Sequence, residues 1–224
     1  EKSKEIEEIA SQLSKYLSPQ LYDSIFSGEK KVSIESEKKF LTVFFSDIIS
    51  FTEISDKMDS APLTQMLNLY LTKMSEVALN FGGTIDKYIG DSIMIFFGDP
   101  ETKGRNKDAI NCVQMAIEMQ NTMKILSKIF MKDFNLPYPL NMRIGINSGE
   151  CTVGNFGSEK RLDYTVIGGA VNLASRLESN SPAGKILISD VTEKLIRDDI
   201  NCQKYDQIKA KGISKPIHTF IPHF

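Results

Sequence analysis

Thr84-Ile85-Asp86-Lys87-Tyr88-Ile89-Gly90-Asp91-Ser92-Ile93-Met94-Ile95-Phe96-Phe97 reads as two strands joined by a tight turn. Both arms are rich in β-branched and aromatic residues, and Gly90-Asp91 supplies the backbone freedom that a two-residue hairpin connection requires. Asp91 is thereby set at or beside the turn. Upstream, Leu41 to Phe45 is a third such run, and it leads into Ser46-Asp47-Ile48-Ile49-Ser50-Phe51-Thr52. If these strands are neighbours, the carboxylates of Asp47 and Asp91 converge at one end of a sheet and can grip a pair of hard cations through oxygen. That arrangement predicts phosphoryl chemistry on a nucleotide.

Outward from the hairpin, Leu63, Met66, Leu67, Tyr70, Leu71, Met74, Val77, Ala78 and Phe81 recur at i, i+3, i+4 and i+7. They make one long amphipathic helix after Pro62, stopped by Gly82-Gly83. A second helix is expected over about 106–132, with Ala109, Val113, Ala116, Ile117, Met123 and Phe130 inward, and a Pro137/Pro139 loop leads to a strand over 140–147. The resulting order, β-α-β-β-α-β, is the split, ferredoxin-like plan of an α+β protein, with both helices on one face of an antiparallel sheet. A glycine-rich hairpin-like arm over 149–157 follows, then a strand over 162–167, a helix over 170–179 and a strand over 186–189. A helix over 191–196 and two late strands complete this C-terminal αβ extension.

The chain has 224 residues, 41% of them hydrophobic and 25% charged, which is material for one large core. A formal charge of -2, with no block of like charges, argues against a general binder of nucleic acid or of a membrane surface. Any anionic ligand must be held locally. The longest purely apolar stretch, Ile93 to Phe97, is far short of the roughly 20 residues that cross a bilayer, and no secretory signal opens the chain. Cys112, Cys151 and Cys202 are widely separated and lack a CxxC pairing, so they suit a reducing, cytoplasmic compartment and read as packing residues. His218 and His223 have no partner at metal or triad spacing, and no catalytic role is assigned to them.

The chain begins at Glu1 in a charged segment, which points to a piece of a longer protein with an upstream sensor domain. Ile6, Ile9, Leu13 and Tyr16 follow a 3-4-3 spacing that suits either a short coiled-coil seam or a single amphipathic helix lying on the domain. Ser18 and Pro19 fit an N-cap and first-turn proline for a second short helix through Leu21, Tyr22, Ile25 and Phe26, ending at Gly28. Glu29 to Lys39 is polar and reads as a linker. Residues 1–36 are accordingly an N-terminal helical and linker segment, and 37–224 the main domain.

Four separated motifs resemble, in order, those of the class III nucleotidyl cyclase catalytic domain, over about Lys38 to Phe220. They are Phe44-Phe45-Ser46-Asp47-Ile48-Ile49-Ser50-Phe51-Thr52, Asp86-Lys87-Tyr88-Ile89-Gly90-Asp91, Asp163-Tyr164-Thr165-Val166-Ile167-Gly168 and Val171-Asn172-Leu173-Ala174-Ser175-Arg176-Leu177-Glu178. In that family two aspartates bind two Mg2+ or Mn2+ ions, and the resemblance puts Asp47 and Asp91 in that role, with the Ile48 carbonyl as a further ligand. Phe51 and Thr52 match the family's loop, where consecutive N–H groups of a strand-to-helix turn can line a concavity for phosphate. Ile49 and Ser50 depart from it, since relatives often carry a bulkier charged residue and glycine there.

The resemblance also assigns base choice to Lys87 and Thr165. An ammonium can donate to adenine N1, and a threonine hydroxyl can accept from the exocyclic amine. Guanylyl cyclases typically use Glu and Cys instead. Asn172 and Arg176, four apart on one helix face, would orient the ribose and stabilise charge at the α-phosphoryl group. Lys211 would reach the terminal phosphates, with Lys209 as the alternative and Lys185 a weaker candidate. Together these imply an adenylyl cyclase that turns ATP into 3',5'-cyclic AMP and pyrophosphate, as a homodimer with two shared active sites. A guanylyl cyclase and a catalytically silent nucleotide-binding domain are the alternatives.

Overall fold

The computed structural model describes residues 2–26, 35–208 and 216–224. α1 (Lys2–Leu13), a 3-10 turn (Ser14–Tyr16) and α2 (Pro19–Phe26) come first. Ser18 caps α2 as expected, its Oγ accepting from the Leu21 amide at 3.3 Å. Ile6 and Ile9 of α1 are 66% and 52% exposed, so these two side chains do not pack on the body of their own chain. No helix among the described residues is long and apolar enough to cross a membrane.

The main body begins with β1 (Ser36–Ile48), α3 (Phe51–Ser55), α4 (Ser60–Asn80), β2 (Thr84–Ile89), β3 (Ser92–Phe97), α5 (Arg105–Asp133) and β4 (Met142–Ser158). This is the expected β-α-β-β-α-β order with one short extra helix. β5 (Arg161–Ile167), α6 (Gly169–Asn180), β6 (Ile186–Ser189), α7 (Asp190–Ile196), β7 (Cys202–Ile208) and β8 (Ile217–Pro222) follow. The described strands form one sheet in the order β2-β3-β1-β4-β6-β8-β7, with β5 also paired to β4.

Side-chain alternation decides the layers. Phe44, Ile48, Ile93 and Ile95 face α4 and α5, in a core with Met66, Tyr70, Met74, Met119 and Phe130. Leu41, Val43, Met94 and Phe96 face the other way, against Val166 of β5 and Val171 and Ala174 of α6. Fully burying one such side chain contributes about 1.5–3 kcal/mol, so β1, apolar on both faces, belongs in the middle of the sheet.

Two boundaries differ from the sequence reading. β4 runs unbroken through the stretch 149–157, because its residues have partners on both sides: Thr152 pairs with Lys38 of β1 and with Ile167 of β5. A Cβ at Gly154 or Gly157 would lie 2.2 Å from the carbonyl oxygen of Glu35 or Arg161, so these glycines permit close crossing instead of ending the strand. Ser36–Lys39 is strand rather than linker, paired with Cys151–Gly154. The rest of the expected linker, up to residue 34, lies outside the described residues.

Candidate active site

β1 and β3 run side by side with Ser46 opposite Ile93, which brings Asp47 next to the turn that carries Asp91. The Ile48 amide donates to Asp91 Oδ2 at 2.8 Å, and Ser92 Oγ donates to Asp47 Oδ1 at 2.7 Å. Each carboxylate is therefore held by the segment that bears the other. Burial pushes the Asp91 carboxyl up to about 6, the Ile48 amide opposes the rise, and the charge of Asp47 adds to it. Two partly buried carboxylates that repel each other are what a divalent cation relieves, so the pair fits a metal. Among the described residues no group of three or more His, Cys, Asp and Glu side chains is placed to hold a metal ion. A cation here would complete its shell with backbone, water and phosphate oxygens, as Mg2+ commonly does.

Arg143 lies directly across from Asp47 on β4, and its Nη2 donates to Asp47 Oδ2 at 2.9 Å. Its Nε is 2.5 Å from Glu178 Oε1 of α6, a close ion contact too bent to be an aligned hydrogen bond. α6 comes this near to β4 because residue 145 is glycine: a Cβ there would lie 2.0 Å from the Glu178 nitrogen and 2.4 Å from the Ala174 carbonyl oxygen. Val171, Ala174, Leu177 and Glu178 form the buried face of the helix. Asn172 is exposed and Arg176 half-buried, so the two share the open face, turned away from Arg143 and Asp47 of the same chain.

Lys87 on β2 and Thr165 on β5 meet through a residue that carries no role in the sequence reading. Asp86, whose side chain is 1% exposed, accepts from Thr165 Oγ1 at 2.5 Å and lies 3.3 Å from Lys87 Nζ. Burial raises this carboxyl, while the Thr165 hydrogen bond and the Lys87 charge hold it down. A cleft of about 350 Å3 opens beside the group, lined by Asp86, Lys87 and Tyr164 and, from the N-terminal segment, by Tyr16, Leu17 and Leu21.

A family model described as "Adenylate and Guanylate cyclase catalytic domain" matches residues 34–223. The chain belongs to that family. Among solved structures the cyclase domain resembles the adenylyl cyclase CyaB from P. aeruginosa, at 52% identity and a TM-score of 0.82, over 85% of this chain and 96% of that one. It also resembles the guanylyl cyclase Cya2, at 35% identity and a TM-score of 0.78, over 84% of this chain and 93% of that one. It is 32% identical over 97% of its length to the "Adenylate cyclase, terminal-differentiation specific" of Dictyostelium discoideum, and it spans only 10% of that relative.

In the cyclase domain the loop after β1 turns at Ser50, with φ 61° and ψ 22°, and α3 starts at Phe51. Serine thus adopts the left-handed turn that glycine makes at lower cost. Ile48 is buried, Thr52 is exposed, and Phe51 is partly buried against the main core, so Phe51 serves packing whatever else it does. Lys211 and Lys209 lie outside the described residues. Lys185 is exposed before β6, and its carbonyl accepts from Gln120 Nε2 at 3.1 Å. Cys112 and Cys151 are buried, and burial raises all three thiols, Cys151 and Cys202 to about 11, which fits their reading as packing residues. The sequence offered only faint signals for Arg143 and Asp86, each a charged residue within a strand-like run, Asp86 next to Lys87.

Proposed function

We propose that this chain is an adenylyl cyclase that converts ATP to 3',5'-cyclic AMP and pyrophosphate. The observation that carries the reading is the meeting of Asp47 and Asp91 where β1 ends and the β2–β3 hairpin turns. Asp47, Asp91 and the Ile48 carbonyl would hold two Mg2+ or Mn2+ ions, which when bound favour loss of the ribose 3'-hydroxyl proton and neutralise the triphosphate. The 3'-oxygen attacks the α-phosphorus in line. The O3'–P bond forms, the bond to the α–β bridging oxygen breaks, and pyrophosphate leaves with that electron pair. We assign the hydroxyl proton to water or a substrate phosphate.

Lys87 donates to adenine N1 and Thr165 accepts from the exocyclic amine, so GTP is disfavoured by roughly ten- to a hundred-fold. Phe51 and Thr52 belong to the loop that meets the phosphates, and Lys211 serves the terminal ones. Asn172 orients the ribose, and the permanently charged, planar guanidinium of Arg176 stabilises the α-phosphoryl transition state. Because Asn172 and Arg176 face away from Asp47 of their own chain, a second copy completes each site, and a twofold homodimer then holds two equivalent ones. Residues 1–36 would connect the catalytic domain, 37–224, to an upstream sensor. ATP as substrate and three free thiols suit the cytoplasm.

Incubating the purified chain with Mn2+ and either ATP or GTP, then identifying the product by mass, tests the reading. Cyclic AMP from ATP is the expected outcome. Product from GTP alone would make the chain a guanylyl cyclase, the alternative that the likeness to Cya2 keeps open. No product from either, at a concentration where the chain is dimeric, would make it a silent domain.

A further inference from the structure

Asp86 is the extra residue of a β-bulge. The pairing of β2 with β3 passes from Ile85 opposite Ile95 to Lys87 opposite Met94, and Asp86 has no partner in that register. A bulge re-aims the side chain it carries. Here the carboxyl turns toward β5, where Oδ2 accepts from Thr165 Oγ1 at 2.5 Å. The Lys87 ammonium lies 3.3 Å from Oδ1, which has no aligned hydrogen bond of its own. A carboxylate 1% exposed at a strand bulge, between the two groups assigned to the base, is out of the solvent, a place where acids are rarely found without a partner.

We propose that Asp86 sets base specificity by fixing the direction of the Thr165 hydroxyl. The proposal rests on the reading of Lys87 and Thr165 as the base-contacting pair. A free threonine hydroxyl is ambiguous, since it can donate or accept. An ionised carboxylate only accepts, so Thr165 must turn its single proton toward Asp86 and can present only lone pairs to the base. Adenine offers an N–H donor at its 6-position and satisfies that oxygen. Guanine offers a carbonyl oxygen there, and two acceptors would face each other across a desolvated contact. The same carboxylate draws in the Lys87 ammonium, so one buried group aligns both readers. Asp86 is a positioning residue and touches no reacting atom.

The test compares kcat/KM for ATP, GTP and purine riboside triphosphate, which lacks the 6-amino group, in the full chain with Mn2+. The variants are Asp86→Asn, Thr165→Val and their combination, each checked for its melting temperature. Asp86→Asn should lower the ATP:GTP ratio of kcat/KM by about ten-fold. It should narrow the gap between ATP and the 6-unsubstituted analogue, change kcat on ATP less than the ratio, and add nothing in the Thr165→Val background. If Asp86→Asn leaves the ratio unchanged while Thr165→Val collapses it, the proposal is overturned and the base assignment stands. If Thr165→Val also leaves the ratio unchanged, the base assignment fails and takes the proposal with it. Should Asp86→Asn not fold, Asp86→Ala is measured in its place, and an unchanged ratio there is equally fatal.

Discussion

The Ile48 amide donates to Asp91 Oδ2 at 2.8 Å, tying the last residue of β1 to the β2–β3 turn. The bond uses the amide and leaves the Ile48 carbonyl oxygen uninvolved in it. Two segments 43 residues apart in sequence are thus locked before any ligand arrives. What the lock does not resolve is charge, because it draws Asp91 close to Asp47.

Burial of Asp91, with that repulsion added to it, gives a stability signature. Asp91 keeps its proton to about pH 6 when folded, against 3.8 when unfolded. Its ionisation therefore costs stability: the cost is absent below pH 3.8, grows as pH rises, and is complete above about 6. Asp91→Asn should raise the stability of the metal-free protein at pH 7.5 by on the order of 1 kcal/mol, after allowance for solvent screening, with little gain near pH 4. The same variant should lose activity by at least roughly 10²–10³-fold. Thermal melts at the two pH values, beside a turnover assay, check both halves.

Mixing chains tests the shared site. Asp47→Ala and Lys87→Ala should each be inactive alone. Combined in equal amounts, half the dimers pair unlike chains and each of these has one intact site, so about a quarter of the parent activity should return. No recovery in the mixture would mean that each chain builds its own site.

Arg143 bridges Asp47 and Glu178, and removing it strands a buried Glu178. Arg143→Ala should destabilise the protein by about 1–3 kcal/mol, less than a fully buried pair because the arginine is partly solvated. Adding Glu178→Gln should recover part of that loss. Urea denaturation of the single and double variants measures the coupling.

Gly145→Ala puts a methyl group 2.0 Å from the backbone of α6. The helix must shift, at a cost of about 2–3 kcal/mol, or roughly 5–10 °C in melting temperature. Because Asn172 and Arg176 ride on α6, kcat should fall along with stability. Asn172→Ala and Arg176→Ala, on the open face, should instead lower kcat with the melting temperature little changed.

The hairpin was legible in the sequence because its signals are local. Gly90-Asp91 between two β-branched arms sets the limits of β2 and β3, and both match the residues expected. The same locality misled at β4, where Gly149, Gly154 and Gly157 look like breakers until the partner strands on either side are known. The approach of Asp47 to Asp91 could be read because each lies at the edge of a strand with a recognisable pattern. The contacts of Arg143 and Asp86 could not, since Arg143 meets a residue 96 positions away and Asp86 one 79 positions away, and only sheet register and a bulge bring them together.

β4 carries Arg143 near one end, across from Asp47, and Gly154 near the other, opposite Thr165, with the seat of α6 at Gly145 between them. A single strand therefore links the neighbourhood of Asp47, where we propose the bond is made, to that of Thr165, where we propose the base is read. An upstream signal that tilted it would alter turnover and nucleotide discrimination in step, whereas one that moved whole chains against each other would change velocity and leave selectivity alone.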